Sequence, residues 1–188
     1  MDQKVNKVIT RSAWTVIILF LIRCLIGQLD FLDFLKCENM YDYFGAAGEA
    51  ISIATIILFI YNKWLWKINP FDATPKLNGI YNGTIEYTQN GKKKKKSTKV
   101  VIIQTSLNVT VKITTNEITS NTITSNLVEE NGEFVLYYTY LTNPRSCYSE
   151  ENPIQHGTCR LTKTGSNTLE GQYWTSRKTI GDIKLTRA

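Results

Sequence analysis

The sequence holds little of the chemistry from which active sites and metal sites are usually built. Its 188 residues include one histidine, His156, and four cysteines that form no CxxC pair. Neither a zinc site nor a Cys/His nucleophile is therefore predicted. The scatter of Cys24, Cys147 and Cys159 fits reduced thiols in a cytosol. We also find no Ser/His/Asp set, no phosphate-binding glycine loop and no paired carboxylates in the C-terminal part, so we expect no enzyme and no cofactor.

A dispersed basic face is missing as well. The net charge of +6 owes much to one run, Lys92 to Lys96. Such a concentrated charge does not predict a nucleic-acid polymer as a partner. We expect the run to form the solvated tip of a hairpin, with contact to anionic lipid as the alternative.

Long apolar stretches are confined to residues 1–70, where two membrane spans are predicted. The first runs from Ala13 to Leu35, and its length of about 34 Å as a helix exceeds a hydrocarbon core of about 30 Å. The second runs from Tyr43 to Asn62 and is followed by Trp64 and Trp66, which are typical of a membrane interface.

The flanking charges predict the orientation of the spans. Lys4, Lys7 and Arg11 precede the first span, and Lys63 and Lys67 follow the second. Because lysine and arginine accumulate on the cytoplasmic side, we expect a multi-pass protein of the bacterial inner membrane with both termini in the cytoplasm. The alternative, a cleaved signal peptide, lacks an Ala-x-Ala site and would not be followed by a second span.

Ionisable residues inside the spans need partners, because an unpaired charge costs about 2.5–3.5 kcal/mol on insertion scales. Arg23 and Glu49 lie at similar depths, so we expect them to meet in an antiparallel hairpin. They either hold the helices together or, with Asp30, line a hydrated path once several hairpins assemble. Ala46, Ala50 and Ala54 form a stripe of small residues that predicts close helix association, within one hairpin and between copies.

After a linker at residues 71–76, the pattern of residues 77–188 alternates with the period of β-strands. Leu77 to Tyr87 is the clearest strand, and its alternate residues, Tyr81 and Tyr87 among them, share one face. Turn motifs such as Asn131-Gly132 separate most of the later segments. Seven further strands are expected at about 98–106, 107–115, 117–128, 133–143, 156–164, 168–175 and 179–187. Eight short sequential strands favour an up-and-down antiparallel barrel of the lipocalin-like kind, which can hold one small ligand.

Two helices, cytoplasmic termini and a C-terminal barrel together resemble the two-transmembrane, β-strand-rich effectors of CBASS antiphage operons, which are associated with CD-NTase cyclases. Leu77 to Tyr87 is the most recognisable segment. The resemblance implies a barrel that binds a cyclic di- or oligonucleotide. It also implies that binding promotes homo-oligomerisation and disruption of the inner membrane by the helices.

Chemistry suggests the ligand contacts, since phosphates attract arginine or lysine and bases stack on aromatic rings. The candidates are Tyr81, Tyr87, Tyr138, Tyr140, Arg145, Arg160, Trp174 and Arg177. Ordinary barrel packing is the alternative for each aromatic, and a solvent-facing position is the alternative for Arg160. Two other functions stay open: a membrane-tethered carrier of an apolar ligand, whose lumen would hold no buried cation, and a scaffold that binds no ligand.

Overall fold

The computed structural model describes residues 3–26, 40–89, 91–150 and 152–188. The chain divides into two compact units, Met1–Pro70 and Phe71–Ala188. The first unit is helical and the second is an all-β barrel.

The helical unit contains α1 (Gln3–Ile26) and α2 (Met40–Lys63), followed by a short 3-10 turn, Leu65–Lys67. Within them, Val8–Ile26 and Met40–Lys63 are long and apolar enough to cross a membrane. The first span begins before the expected Ala13, because no glycine or proline interrupts the helix upstream. Its expected continuation to Leu35 lies outside the described residues, and so does Asp30.

The two helices pack through a narrow stripe of α2. Tyr43, Ala46, Ala50 and Ala54 are each less than 5% exposed, and they follow one another at helical spacing. The small side chains of the three alanines let the backbones of α1 and α2 approach closely, as expected for contact within one hairpin. Large apolar side chains on the remaining faces are exposed, as a surrounding lipid solvent requires. They include Trp14, Ile18, Leu21, Ile56 and Phe59.

Arg23 and Glu49 meet across the hairpin, as their depths predicted. The Arg23 Nε donates to Glu49 Oε2 at 2.5 Å. This ion pair removes the need for a solvated charge on either helix.

The β unit is a closed antiparallel barrel in which consecutive strands are neighbours and the last pairs with the first. The strands are β1 (Gly79–Gln89), β2 (Lys92–Gln104), β3 (Val109–Thr114), β4 (Ile118–Glu130), β5 (Glu133–Pro144), β6 (Gln155–Lys163), β7 (Thr168–Thr175) and β8 (Ile180–Arg187). This architecture confirms the predicted fold class.

The lysine run lies at the turn end of the first hairpin, where Lys92 to Lys96 begin β2 and pair with Ile85 to Gln89 of β1. Lys92 to Lys95 are exposed, as expected for a solvated end of the hairpin. Alternation sends successive lysines to opposite faces, so Lys94 and Lys96 share the inward face with their partners on β1.

Apolar side chains fill one end of the barrel. They include Leu77, Val100, Ile102, Val111, Leu127, Leu136, Leu161, Leu169 and Leu185. At this end, Gln104 hydrogen-bonds the segment that precedes β1. Its Nε2 donates to Pro75 O at 2.9 Å, and its Oε1 accepts from Leu77 N at 2.6 Å. The packed end leaves the interior hollow only towards the other end.

Candidate ligand-binding cavity

A cavity of about 680 Å³ occupies the open end of the barrel. It lies beneath the β1–β2, β3–β4 and β7–β8 turns and the connection between β5 and β6. Its aromatic lining consists of Tyr87, Tyr138, Tyr140 and Tyr173, and its cationic lining consists of Lys94, Lys95, Lys96 and Arg177. Hydroxyl and amide side chains fill the space between them: Thr88, Thr115, Ser120, Thr142, Asn152, Gln155, Thr175 and Thr179.

The pairing of β5 with β6 defines depth within the cavity. Tyr138 lies opposite Cys159 at the floor, Tyr140 lies opposite Gly157 above it, and Thr142 lies opposite Gln155 near the mouth. The Tyr138 hydroxyl is buried beside the Cys159 thiol, a weak hydrogen-bonding group, and no described nitrogen or oxygen atom forms a hydrogen bond with it. The Gln155 side-chain oxygen is also buried without a described partner. The cavity therefore presents polar atoms that a ligand could satisfy.

Two tyrosine rings lie against the wall because glycines face them. A methyl group at Gly157 would lie 2.3 Å from Tyr140 Cζ. A methyl group at Gly181 would lie 2.6 Å from Tyr173 Cε1. Each ring thus occupies the space that a side chain on the neighbouring strand would take. The Tyr138 and Tyr140 ring centroids are 5.8 Å apart, so aromatic surface is continuous along β5.

The floor is electrically neutral. Burial raises the pKa of Tyr138 and of Tyr140 well above the usual value for tyrosine. Burial also raises the pKa of the Cys159 thiol and of Tyr173, each to about 12. These groups stay protonated at physiological pH, so the floor offers uncharged hydroxyl and thiol groups.

The mouth carries the charge. Lys96 Nζ lies 2.5 Å from Glu117 Oε2, and the same carboxylate oxygen accepts a hydrogen bond from Asn152 Nδ2 at 2.9 Å. Lys94 and Arg177 also line this end. Glu117 is the only acidic residue among the described residues of the lining. The cavity can therefore receive an anion at its mouth and flat, uncharged rings below.

The structure brings four of the sequence-predicted residues together in the cavity: Tyr87, Tyr138, Tyr140 and Arg177. Tyr81 is instead packed in the filled end, where its hydroxyl donates to Leu77 O at 2.9 Å.

The remaining three candidates lie away from the cavity. Arg160 is on the outer face, where its Nε donates to Tyr137 OH at 2.9 Å and its Nη2 lies 3.2 Å from Glu130 Oε2. Arg145 borders a separate, shallower groove. Trp174 is 37% exposed, opposite Ile180 of β8. Strand alternation explains these positions, because Arg160 and Trp174 follow the inward-facing Cys159 and Tyr173.

Sequence reasoning missed Tyr173, Lys94, Lys96, Glu117 and Gln155. Tyr173 was detectable, since it has the same phase as Leu169 and Gly171. Assigning Lys94 and Lys96 to the cavity required the register of β2 against β1, which the sequence does not give. Glu117 lies in a turn, where no periodic pattern assigns a face.

A closed barrel with one polar, cation-rimmed cavity, in a chain with two possible membrane spans, defines a class of membrane-associated small-ligand receptors. Comparison with known families agrees with this class: the family described as "Cap15, cyclic dinucleotide receptor domain" matches residues 72–187. The chain belongs to this CBASS-associated family. The resemblance drawn from the sequence is thereby confirmed.

A relative covers the helices as well as the barrel. CD-NTase-associated protein 15 from Staphylococcus schleiferi is 34% identical over 194 residues, spanning 100% of this chain and 99% of the relative. Among solved structures, a redesigned beta barrel is similar with a TM-score of 0.45 and 13% identity, covering 60% of this chain and 91% of that one.

Proposed function

We propose that the barrel binds a cyclic dinucleotide in its open cavity, and that binding makes copies of the chain assemble and disrupt the bacterial inner membrane. The observation that carries this proposal is one cavity with a cationic mouth, tyrosine walls and a neutral floor, inside a domain of the receptor family. The chain would thus act as a CBASS effector that responds to a nucleotide signal.

The chemistry of the lining matches the parts of such a ligand. Its volume of about 680 Å³ lies within the range of about 300–1,000 Å³ typical of small-molecule sites. Lys94, Lys96 and Arg177 would attract the two phosphates. Tyr140 and Tyr173 would stack on the bases. Hydroxyl and amide groups between the tyrosines favour this ligand over that of the alternative, a carrier of an apolar ligand whose lumen would hold no buried cation.

The helices would supply the membrane activity. Lysine and arginine flank both predicted spans on one side, so we place both termini, and with them the barrel, in the cytoplasm. The alanine stripe is buried between α1 and α2 of one chain. Copies would therefore associate through the exposed apolar faces of these helices, or through ion pairs between copies.

Calorimetric titration of the full chain in detergent micelles tests the proposal. The panel contains cyclic di-AMP, cyclic di-GMP, cyclic di-UMP and the mixed cyclic AMP–GMP. At least one member should bind, and the same member should release dye from liposomes that contain the chain. Lys94→Met should weaken binding about tenfold or more, because it removes a charge at the mouth. Lys99→Met is the matched control, since Lys99 points outward on the same strand and should leave binding unchanged. No binding by any member would favour a scaffold instead.

A further inference from the structure

Glu117 is the residue on which three parts of the cavity mouth converge. Its carboxylate pairs with Lys96 of β2 at 2.5 Å and accepts from Asn152, in the β5–β6 connection, at 2.9 Å. The side chains of Lys96 and Glu117 are 34% and 24% exposed. The pair is thus partly shielded from water, which strengthens it relative to a pair on the open surface.

The backbone of the β3–β4 turn holds Glu117 in place. Its amide donates to Thr115 Oγ1 at 3.3 Å, and its carbonyl accepts from Arg145 N at 2.9 Å. The β5–β6 connection is therefore bonded to Glu117 near both of its ends, through Arg145 and through Asn152. Within the connection, Asn152 N donates to Tyr148 O at 2.8 Å, which links Asn152 to the 3-10 turn at Ser146–Tyr148.

We infer that the Glu117 carboxylate stays paired with Lys96 until a ligand phosphate replaces it. We infer further that this exchange weakens the bonds that hold the β5–β6 connection to Glu117. The inference rests on the proposed function, because it assigns a regulatory and selective role to the mouth of that same cavity. The exchange breaks one ion pair and forms another, and no covalent bond changes. Once Lys96 pairs with phosphate, the Glu117 carboxylate lies beside a second anion and is repelled from it.

This exchange also selects the ligand. A neutral nucleoside offers no anion to Lys96, so it leaves the Lys96–Glu117 pair and the Asn152 anchor intact. A phosphate-bearing ligand supplies the replacement anion. The mouth therefore selects ligands that carry negative charge. Binding of such a ligand changes the conformation of the β5–β6 connection, which reaches the outer surface.

The test compares Glu117→Gln with Glu130→Gln in the full chain in micelles, using whichever cyclic dinucleotide of the panel binds the wild-type chain. Both variants lose one negative charge, but Glu130 pairs with Arg160 on the outer face. Glutamine at position 117 keeps an oxygen for Asn152 while releasing Lys96. We expect Glu117→Gln to bind about three- to tenfold more tightly, the range for losing one competing ion pair. Glu130→Gln should bind like the wild type.

Hydrogen exchange of residues 145–154 provides the second readout. In the wild-type chain, ligand should speed exchange in this segment, whereas in Glu117→Gln the change should be much smaller because no carboxylate is repelled. Asn152→Ala should exchange rapidly with or without ligand, because it removes the side-chain bond to Glu117. Equal affinities of Glu117→Gln and Glu130→Gln, with wild-type binding intact, would overturn the inference alone. Absence of binding by the wild-type chain would overturn the proposed function as well.

Discussion

Tyr138 places an uncharged hydroxyl at the cavity floor, beside the weakly hydrogen-bonding Cys159 thiol and without a described nitrogen or oxygen partner. An unsatisfied buried polar group costs about 1–3 kcal/mol of stability. Such groups in native proteins call for a specific explanation. A ligand that completes the hydrogen bond supplies one here.

Replacing Tyr138 with phenylalanine should therefore separate stability from binding. We expect the free energy of unfolding at neutral pH to rise by about 1 kcal/mol, and ligand affinity to fall about fivefold, because one hydrogen bond to the ligand is lost. Tyr137→Phe is the control, since the Tyr137 hydroxyl bonds Arg160 and Glu130 on the outer face. That variant should lose stability and keep its affinity. Denaturant unfolding and calorimetry measure both quantities, and a destabilised Tyr138→Phe would contradict the assignment.

The buried tyrosines and Cys159 also predict how stability depends on pH. Their pKa values are raised in the folded barrel above 9.0 for cysteine and 10.0 for tyrosine in the unfolded chain. Above about pH 9 the unfolded chain therefore loses protons that the barrel retains, which favours unfolding. Between pH 7 and pH 9 these groups should leave stability constant, and above pH 9 stability should fall steadily towards pH 12. Thermal midpoints between pH 7 and 11 measure this, and Cys159→Ser should reduce the slope. A flat profile would contradict burial of these groups.

On the adjacent strands β5 and β6, the Tyr140 ring packs against Gly157. Gly157→Ala would put a methyl group into the Tyr140 ring, so either the ring turns into the cavity or the strands separate. We expect a loss of about 1–3 kcal/mol in stability, the usual range for overpacking, and weaker ligand binding. Gly165→Ala is the matched control, because a methyl group there would lie 3.8 Å from Thr168, its nearest neighbour in the β6–β7 turn. Equal stability of the two variants would show that Tyr140 does not depend on Gly157.

Strand alternation predicted the inward tyrosines of the barrel, but it did not assign the lysine run to a face. Tyr87, Tyr138 and Tyr140 follow a period of two along their own strands, which is a local pattern. Lys92 to Lys96 has no local pattern that favours a strand. Its conformation depends on pairing with β1, where Glu86 lies opposite Lys95 at 2.9 Å between Oε1 and Nζ.

The hairpin of α1 and α2 depends on the Arg23–Glu49 pair. Arg23→Leu should leave Glu49 unpaired in the apolar environment, at a cost of about 2.5–3.5 kcal/mol. We expect lower accumulation in the membrane fraction and less ligand-dependent dye release. The double variant Arg23→Glu with Glu49→Arg should recover both, because it restores an ion pair. Arg11→Lys, which keeps a positive charge near the helix end, should behave like the wild type. A double variant as impaired as Arg23→Leu would exclude the ion pair as the cause.

Two helices long and apolar enough to span a membrane, the eight sequential strands and the faces of several of those strands follow from the amino-acid sequence alone. Hydropathy, length and period are properties of neighbouring residues, so a single segment suffices to express them. Only the tertiary structure decided which end of the barrel is hollow and which charges reach it. Lys96 meets Glu117, and Tyr140 meets Gly157, across strands and turns that come together through register and closure. Those two properties depend on hydrogen bonds between distant segments, and no single segment contains them.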